Sequence, residues 1–257
     1  MVTRSPKSSL RHAGASTAAG CESGGMSAEG TEHDLAGMRT SYDVGRLLEA
    51  DLGASPYAQF TSWMTDTVAA GLAEPNAMVL ATSDSDGVPS ARTVLLKAVD
   101  ARGFSFYTNL ASRKGRALAD NPRASLVFPW HPMMRQVVVV GDVEQVSRDE
   151  ARAYFSSRPY GSRLGAWASA QSTVIASREV LKAKYAELAS VFPDTGDAAD
   201  VPLPDGWGGY VVAPRTVEFW QGRPSRLHDR LRYARVSDDA PAALDDPTAW
   251  RTERLSP

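Results

Sequence analysis

Short runs in which apolar and polar residues alternate recur along the chain from residue 76 onward, and this pattern predicts strands. Residues 76–109 contain three β-rich runs separated by Asp-Gly and Arg-Gly turns, which predicts a meander. Further strands are predicted in 123–130 and 135–147, and a last pair in 209–222 and 225–235.

Helical spacing of apolar residues predicts helices in 41–52 and 56–72, the second closed by Pro75 and Asn76. Two more helices are predicted to begin after the N-cap residues Ser112 and Ser147. Since short turns join most of the strands, the pattern favours an antiparallel β-barrel with helices outside it over a doubly wound parallel sheet.

Composition narrows the function classes. The 257 residues include 28 Lys and Arg against 30 Asp and Glu, so the chain lacks the positive excess of a nucleic-acid or membrane-surface binder. A single cysteine, Cys21, excludes an intramolecular disulfide framework and fits a reducing cytoplasm. Residues 1–37 lack aromatic residues and are rich in small ones, which predicts a disordered leader before one domain at 38–257.

One candidate anion site lies at the predicted helix start after Ser112. Arg113 and Lys114 fall in the first turn, where cations oppose the helix dipole unless an anion lies between them. A solvated basic turn would give the same local sequence. Arg92 and Lys97 flank an apolar strand nearby, but at this spacing they reach one ligand only if the strand is twisted or bulged.

A second candidate anion site follows the helix after Ser147. Tyr154 and Arg158 are four residues apart and share a helical face, and Ser162 lies just beyond Pro159. A phenol, a guanidinium and a hydroxyl suit a phosphate, although a surface Tyr–Arg pair is the commoner explanation of such spacing.

The sequence 226–230, "RLHDR", places three basic residues at alternate positions. In an extended strand Arg226, His228 and Arg230 point to one face, where they are costly unless they meet an anion or an electron-rich ring. Trp220 on the preceding strand favours a wall that binds a ring. A metal site at His228 is not expected, because His131 has no ligand spacing to it.

Nine motifs in order then resemble the pyridoxamine 5'-phosphate oxidase family over about residues 38–257. They read "RTVLLK", "FYTNLASRK", "NPRASLVFPW", "RQVVVVG", "YFSSRP", "GAWASAQS", "VPLPDGWGGY", "EFWQG" and "RLHDR". The resemblance implies a mainly β fold with flanking helices, an antiparallel split β-barrel. It also implies a homodimer with FMN bound where the subunits meet.

The resemblance also implies roles for individual residues. Arg226 and His228 would be catalytic, orienting the pyridine ring of the substrate, and Arg39 and Tyr42 would belong to a segment that closes on the site. The remaining substrate contacts, mainly to phosphate, would come from Lys97, Tyr154, Arg158 and Ser162. The FMN site would comprise Arg92, Val94, Leu95, Leu96, Lys97, Tyr107, Thr108, Arg113, Lys114, Gln136, Gln171, Ser172, Trp220 and Arg230.

The implied reaction is oxidation of pyridoxamine or pyridoxine 5'-phosphate to pyridoxal 5'-phosphate, with O2 as acceptor and hydrogen peroxide as product. No metal, nucleic acid or membrane partner is expected. Two alternatives share the fold: a non-catalytic flavin or pyridoxal-phosphate binding protein, and a split-barrel flavin reductase of another substrate. The pair Arg226 and His228 argues against both, because a carrier has no need to orient a pyridine ring.

Overall fold

The computed structural model describes residues 34–38, 41–42, 45–237 and 242–257. It divides the chain into two units, 1–40 and 41–257. In the first unit, the described residues 34–38 contain a turn in which the Gly37 N–H donates to the Asp34 carboxylate. The rest of the predicted leader and Arg39 lie outside the described residues, so the predictions made for them stay untested.

The second unit is built on one antiparallel sheet of nine strands in the described residues, ordered β2-β1-β5-β6-β7-β4-β3 with β8 and β9 continuing from β7. The predicted mainly β fold is therefore confirmed. The strands are β1 (Ala77–Ser83), β2 (Pro89–Leu95), β3 (Ala98–Asp100), β4 (Gly103–Asn109), β5 (Arg123–Trp130), β6 (Arg135–Gln145), β7 (Trp207–Gln221), β8 (Asp229–Arg235) and β9 (Trp250–Arg254).

The predicted meander in 76–109 is wrong in its connectivity. β2 forms a hairpin with β1, whereas β3 and β4 lie at the other end of the strand order. Between them, the Leu96 N–H donates to the Asn76 carbonyl and the Lys97 N–H donates to the Ser105 carbonyl in β4. The first bond extends the β1–β2 pairing and the second extends the β3–β4 pairing, so the chain passes from one end of the strand order to the other between Leu96 and Lys97. The sheet curls into a half-barrel.

Aromatic side chains fill the core on one face of the sheet. Phe60 lies edge-on to Phe104 and Phe128 at ring-centroid distances of 4.9 and 5.0 Å, and Trp63 lies edge-on to Phe219 at 5.2 Å. Phe60 and Trp63 belong to helix α1 (Pro56–Ala69), so the predicted helix at 56–72 is confirmed and covers the core.

The remaining helices are α2 (Arg113–Asp120), α3 (Arg148–Ser157), α4 (Tyr160–Ala168) and α5 (Arg178–Val191). Ser112 and Ser147 cap α2 and α3 as predicted, accepting from the Gly115 and Glu150 N–H groups. Helices α3, α4 and α5 form a second core around Phe155 and Leu164. Tyr107, which points away from the first core because side chains alternate along β4, packs against this second core.

The helix predicted at 41–52 is wrong within its described residues, 41–42 and 45–52. Its one described helical turn is a 3-10 turn, Glu49–Asp51. Gly45 has a φ of 76°, in the left-handed region that interrupts a helix. The Leu47 N–H donates to the Asp229 carboxylate, and the Leu47 carbonyl accepts from Arg254, so side chains of β8 and β9 satisfy this backbone.

The strand predicted at 225–235 begins only at Asp229. Pro224–Arg226 form a 3-10 turn in which Ser225 and Arg226 have φ values of 56° and 62°. Strand alternation therefore does not apply to Arg226 and His228, and the predicted shared face is wrong. In the described residues, no helix is long and apolar enough to cross a membrane.

Candidate functional site

A cavity of about 760 Å³ lies where β2, β4, α3 and α4 meet. It has four cationic side chains, and no carboxylate is found among its described lining residues. The lining comprises Arg92, Thr93, Val94, Leu95, Lys97, Tyr107, Thr108, Asn109, Lys114, Tyr154, Arg158, Pro159, Ser162, Gly165, Ala166, Ser169, Gln171 and Trp207.

Lys114 lies in the first turn of α2 and is 7% exposed. Its ammonium donates to Gln171 Oε1 at 2.8 Å and to Thr108 Oγ1 at 3.0 Å. Both acceptors are neutral, so they satisfy the donors without balancing the charge. Burial and the charge of Arg92 lower the pKa of Lys114 to about 8, as expected for a cation that lacks a counterion.

Arg92 on β2 is held on the cavity wall by the adjacent hairpin strand. Its guanidinium donates to the Leu80 carbonyl at 3.2 Å, to Thr82 Oγ1 at 2.9 Å and to Ser90. Burial and the nearby charge of Arg113 lower its pKa. The guanidinium of Arg92 is thus oriented by neutral acceptors, and none of them supplies a negative charge to balance it.

Arg158 ends α3 and is half-buried, and its Nη1 is buried without a hydrogen-bond partner in the described residues. Its guanidinium carbon lies 4.9 Å from the ring centroid of Trp207, a cation–π contact that leaves the N–H donors unused. Burial lowers the pKa of Arg158. A buried donor without an acceptor is costly, and an anion in the cavity would supply one.

Three parallel aromatic rings form one wall of the cavity. Tyr107 stacks on Tyr154 with centroids 4.0 Å apart and lies nearly parallel to Trp207 at 5.7 Å. Gly209 makes this possible, because a Cβ at Gly209 would come within 2.5 Å of the Tyr107 ring. Burial raises the pKa of Tyr107, so its phenol stays protonated near neutral pH.

A second group of predicted residues lies at the β7–β8 hairpin. His228 contacts Trp220 at a centroid distance of 4.7 Å and Tyr42 at 5.5 Å. Gln136 pairs with Trp220 in the β6–β7 ladder. We call Tyr42, Gln136, Trp220, Arg226 and His228 the hairpin group; none of them is among the described residues that line the cavity.

The structure therefore brings together most, but not all, of the predicted residues. Leu96 is buried in the core beside the cavity, and Arg113 is exposed on α2. Arg230 forms an ion pair with Glu218 at 2.7 Å, so it does not face a ligand as an unpaired cation. The cavity contains Arg92, Val94, Leu95, Lys97, Tyr107, Thr108, Lys114, Tyr154, Arg158, Ser162 and Gln171.

Sequence reasoning missed part of the cavity lining. The sequence assigns no role to Trp207, which occurs only inside the motif "VPLPDGWGGY", although its ring stacks beside Tyr107 and lies under Arg158. The adjacent pair Gly208 and Gly209 was the available signal, because consecutive glycines in a strand mark a close approach of other groups. Within the described part of the chain, no cluster of His, Cys, Asp and Glu could hold a metal ion.

Two protein-family models and several known proteins are similar to this chain. A family model described as pyridoxamine 5'-phosphate oxidase matches residues 64–192, and one described as the pyridoxine 5'-phosphate oxidase C-terminal dimerisation region matches 207–257. The chain is 57% identical to a pyridoxine/pyridoxamine 5'-phosphate oxidase of Kineococcus radiotolerans, over 87% of this chain and 99% of the relative. This chain belongs to the pyridoxamine 5'-phosphate oxidase family.

Two more proteins extend the comparison. The oxidase of the same name from Streptomyces avermitilis is 53% identical over 88% of this chain and 97% of the relative. PhzG from Burkholderia lata, solved with tetrahydrophenazine-1-carboxylic acid, is 31% identical with a TM-score of 0.72, over 85% of this chain and all of that one. The predicted family, split-barrel fold and oxidase class are confirmed.

Proposed function

We propose that the protein is an FMN-dependent oxidase that converts pyridoxamine and pyridoxine 5'-phosphates to pyridoxal 5'-phosphate. The observation that carries the proposal is the cavity whose four cations meet no carboxylate among its described lining residues. Such a site suits phosphorylated ligands, because phosphate supplies both the missing charge and the missing acceptors. The names of the relatives supply the substrate class.

The donors of the cavity divide into two sets that would suit two phosphates. Lys114 and Arg92 come from α2 and β2 and would hold the phosphate of FMN. Arg158, Tyr154 and Ser162 come from α3 and α4 and would hold the phosphate of the substrate. The buried, unpartnered Nη1 of Arg158 fits this assignment, because a phosphate oxygen is an acceptor that it lacks.

FMN, when bound, supplies the two-electron oxidation that amino-acid side chains cannot perform. The residues of the chain itself bind the substrate and orient it. Arg158 and its neighbours would fix one end of the substrate, and Arg226 and His228 would fix its ring, so that the reacting carbon is presented in one orientation. For the amine, the balanced reaction consumes water and O2 and yields pyridoxal 5'-phosphate, ammonia and hydrogen peroxide.

We further propose that the working form is a homodimer. The chain matches a family model described as a dimerisation region over 207–257, which contains most of the hairpin group. Because the hairpin group does not line the cavity of its own chain, a symmetric pairing in which each hairpin meets the other chain's cavity would unite the predicted site residues.

A comparison of substrates with and without phosphate tests the proposal. We expect pyridoxal 5'-phosphate and hydrogen peroxide to form in equal amounts from pyridoxamine 5'-phosphate. Pyridoxamine without phosphate should have a kcat/KM lower by roughly a hundredfold or more, because several charge-assisted hydrogen bonds are lost. Equal activity on the two amines would contradict the role of the cavity, and binding without turnover would favour the carrier alternative.

A further inference from the structure

The two ring nitrogens of His228 lie in different environments. Nδ1 accepts a hydrogen bond from the backbone N–H of Arg223 at 3.1 Å. No partner for Nε2 is found in the described residues. A backbone N–H can only donate, so Nδ1 must carry a lone pair. The neutral imidazole therefore has its proton on Nε2.

The Arg223 N–H is held in place by contacts on both sides of the turn. The Arg223 side chain donates to the Gly45 carbonyl at 2.6 Å and lies 3.5 Å from the Asp229 carboxylate. Asp229 in turn accepts from the Leu47 N–H at 3.1 Å and from Arg254 at 3.0 Å. The donor that fixes the tautomer is thus anchored to the segment before α1 and to β8 and β9.

The turn brings His228 back toward Arg223. The left-handed φ values of Ser225 and Arg226 reverse the chain, and the Leu227 N–H closes the turn on the Pro224 carbonyl at 3.2 Å. The His228 ring is half-buried between Tyr42 and Trp220, which restricts its rotation. If the ring rotated by half a turn, a carbon atom would replace Nδ1 opposite the Arg223 N–H, and the hydrogen bond between them would be lost.

We propose that the Arg223 backbone N–H fixes His228 as the Nε2–H tautomer, so that His228 acts as a hydrogen-bond donor and not as a general base. Its Nε2–H would bind an oxygen or nitrogen acceptor on the substrate's ring. The identity of that acceptor rests on the proposed function, whereas the tautomer does not. A proton leaving the substrate must then go to a group other than His228.

The tautomer can be measured directly in the full-length, FMN-loaded protein labelled with ¹⁵N-histidine. The chain has four histidines, and the signals that disappear in His228→Gln identify those of His228. We expect a protonated, pyrrole-type Nε2 and an unprotonated, pyridine-type Nδ1. A protonated Nδ1, alone or together with a protonated Nε2, would overturn the proposal.

Two substitutions test the role of the donor. The amide nitrogen of glutamine reaches about the position of histidine Nε2, and that of asparagine reaches the position of Nδ1. At saturating FMN, His228→Gln should keep a kcat/KM roughly tenfold or more above that of His228→Asn, since only the former retains the donor. Equal values, or a more active His228→Asn, would overturn the proposed donor role.

His131→Gln is the matched control, because His131 is exposed in the turn before β6 and outside the described lining of the cavity. Its activity should equal that of the unchanged protein. Flavin absorbance and melting temperature confirm that each variant is folded and loaded. If the unchanged protein shows no turnover, the proposed function fails while the tautomer measurement still decides this proposal.

Discussion

Arg158 combines a half-buried position, a Trp207 ring beneath its guanidinium and a buried Nη1 that has no hydrogen-bond partner in the described residues. Lysine at this position keeps the charge but loses the planar fork. Arg158→Lys should raise KM for the phosphorylated substrate about ten- to a hundredfold and leave FMN affinity nearly unchanged. Steady-state kinetics and a flavin titration measure both effects.

Arg152→Lys provides the control for Arg158. Arg152 lies on the same helix, is exposed, and pairs with Asp149 at its surface. Its substitution should change neither KM nor FMN affinity. A similar rise in KM for both variants would mean that α3 is sensitive to any change, and the assigned role of Arg158 would be wrong.

Lys114 gives a prediction about pH in the cofactor-free protein. Its pKa is lowered to about 8, whereas in the unfolded chain it is about 10.4. Between these values the unfolded chain binds more protons, so folding stability rises with pH. Relative to Lys114→Met, the unchanged protein should gain stability from about pH 8 to pH 10.5, by at most roughly 3 kcal/mol.

Urea denaturation of both proteins at several pH values measures this difference. Comparison with the variant removes the titration of the other lysines and tyrosines, which both proteins share. Below about pH 8, Lys114 is charged in the folded and the unfolded protein, so burial of its charge lowers folding stability in full. Above that pH the folded protein loses this charge, and the loss of stability is relieved. A stability difference that stays constant across the range would show that Lys114 is not destabilised by burial.

At this scale, the sequence predicted the residues whose partners are close along the chain. Tyr154 and Arg158 are four residues apart, so the sequence alone predicts that they lie on the same side of a helix. Both line the cavity. Trp207 and Gln171 reach the same cavity from distant parts of the sequence. The Gly208–Gly209 pair signals a close approach beside Trp207 but not which groups approach, because tertiary packing decides that. The place of Gln171 follows from the family resemblance.

The start of helix α2 allows a prediction at the scale of an element. Ser112 is fully buried; its hydroxyl accepts from the Gly115 N–H and lies 3.4 Å from Lys114 Nζ. Ser112→Ala should cost about 1 kcal/mol of stability, as for other N-caps. It should also weaken FMN binding, because the same hydroxyl helps to place Lys114.

Ser177→Ala is the matched control, since Ser177 caps the exposed helix α5 by accepting from the Glu179 N–H. It should cost a similar amount of stability without changing FMN affinity. Melting curves and flavin titrations of the two variants separate the effects. Equal FMN affinity in both would indicate that Ser112 serves only the helix.

Helix caps and long strands were predictable because their signals lie close together in the sequence. One error arose where side chains from distant strands form the hydrogen bonds that a helix would have formed within its own backbone. Residues 45–48 are not helical, and Asp229 and Arg254 satisfy the backbone of Leu47 instead. The alternation of Arg226 and His228 failed because two consecutive left-handed residues interrupt the extended chain. Neither signal is visible in hydrophobic periodicity, which reports burial and not backbone reversal.

At the scale of the whole molecule, the proposed dimer predicts complementation between two inactive variants. Arg158→Ala damages the cavity and His228→Ala damages the hairpin group. If each site combines the cavity of one chain with the hairpin of the other, a mixed dimer has one intact site. Random mixing should then restore about a quarter of the activity, as two-fold symmetry requires.

Co-expression of the two variants with different affinity tags allows the mixed dimer to be isolated and assayed. The dimers of each single variant, purified in the same way, provide the baseline. Activity no higher than this baseline would show that each site is built within one chain, and it would contradict the proposed arrangement while leaving the oxidase function open.

The central claim is that the cationic cavity holds a flavin that oxidises a phosphorylated pyridine. The most direct measurement is the absorption spectrum of the FMN-reconstituted protein under anaerobic conditions. We predict that pyridoxamine 5'-phosphate bleaches the flavin band, and that admission of O2 restores the band with pyridoxal 5'-phosphate as product. A protein that binds no FMN, or a flavin band that the substrate leaves unchanged, would contradict the account.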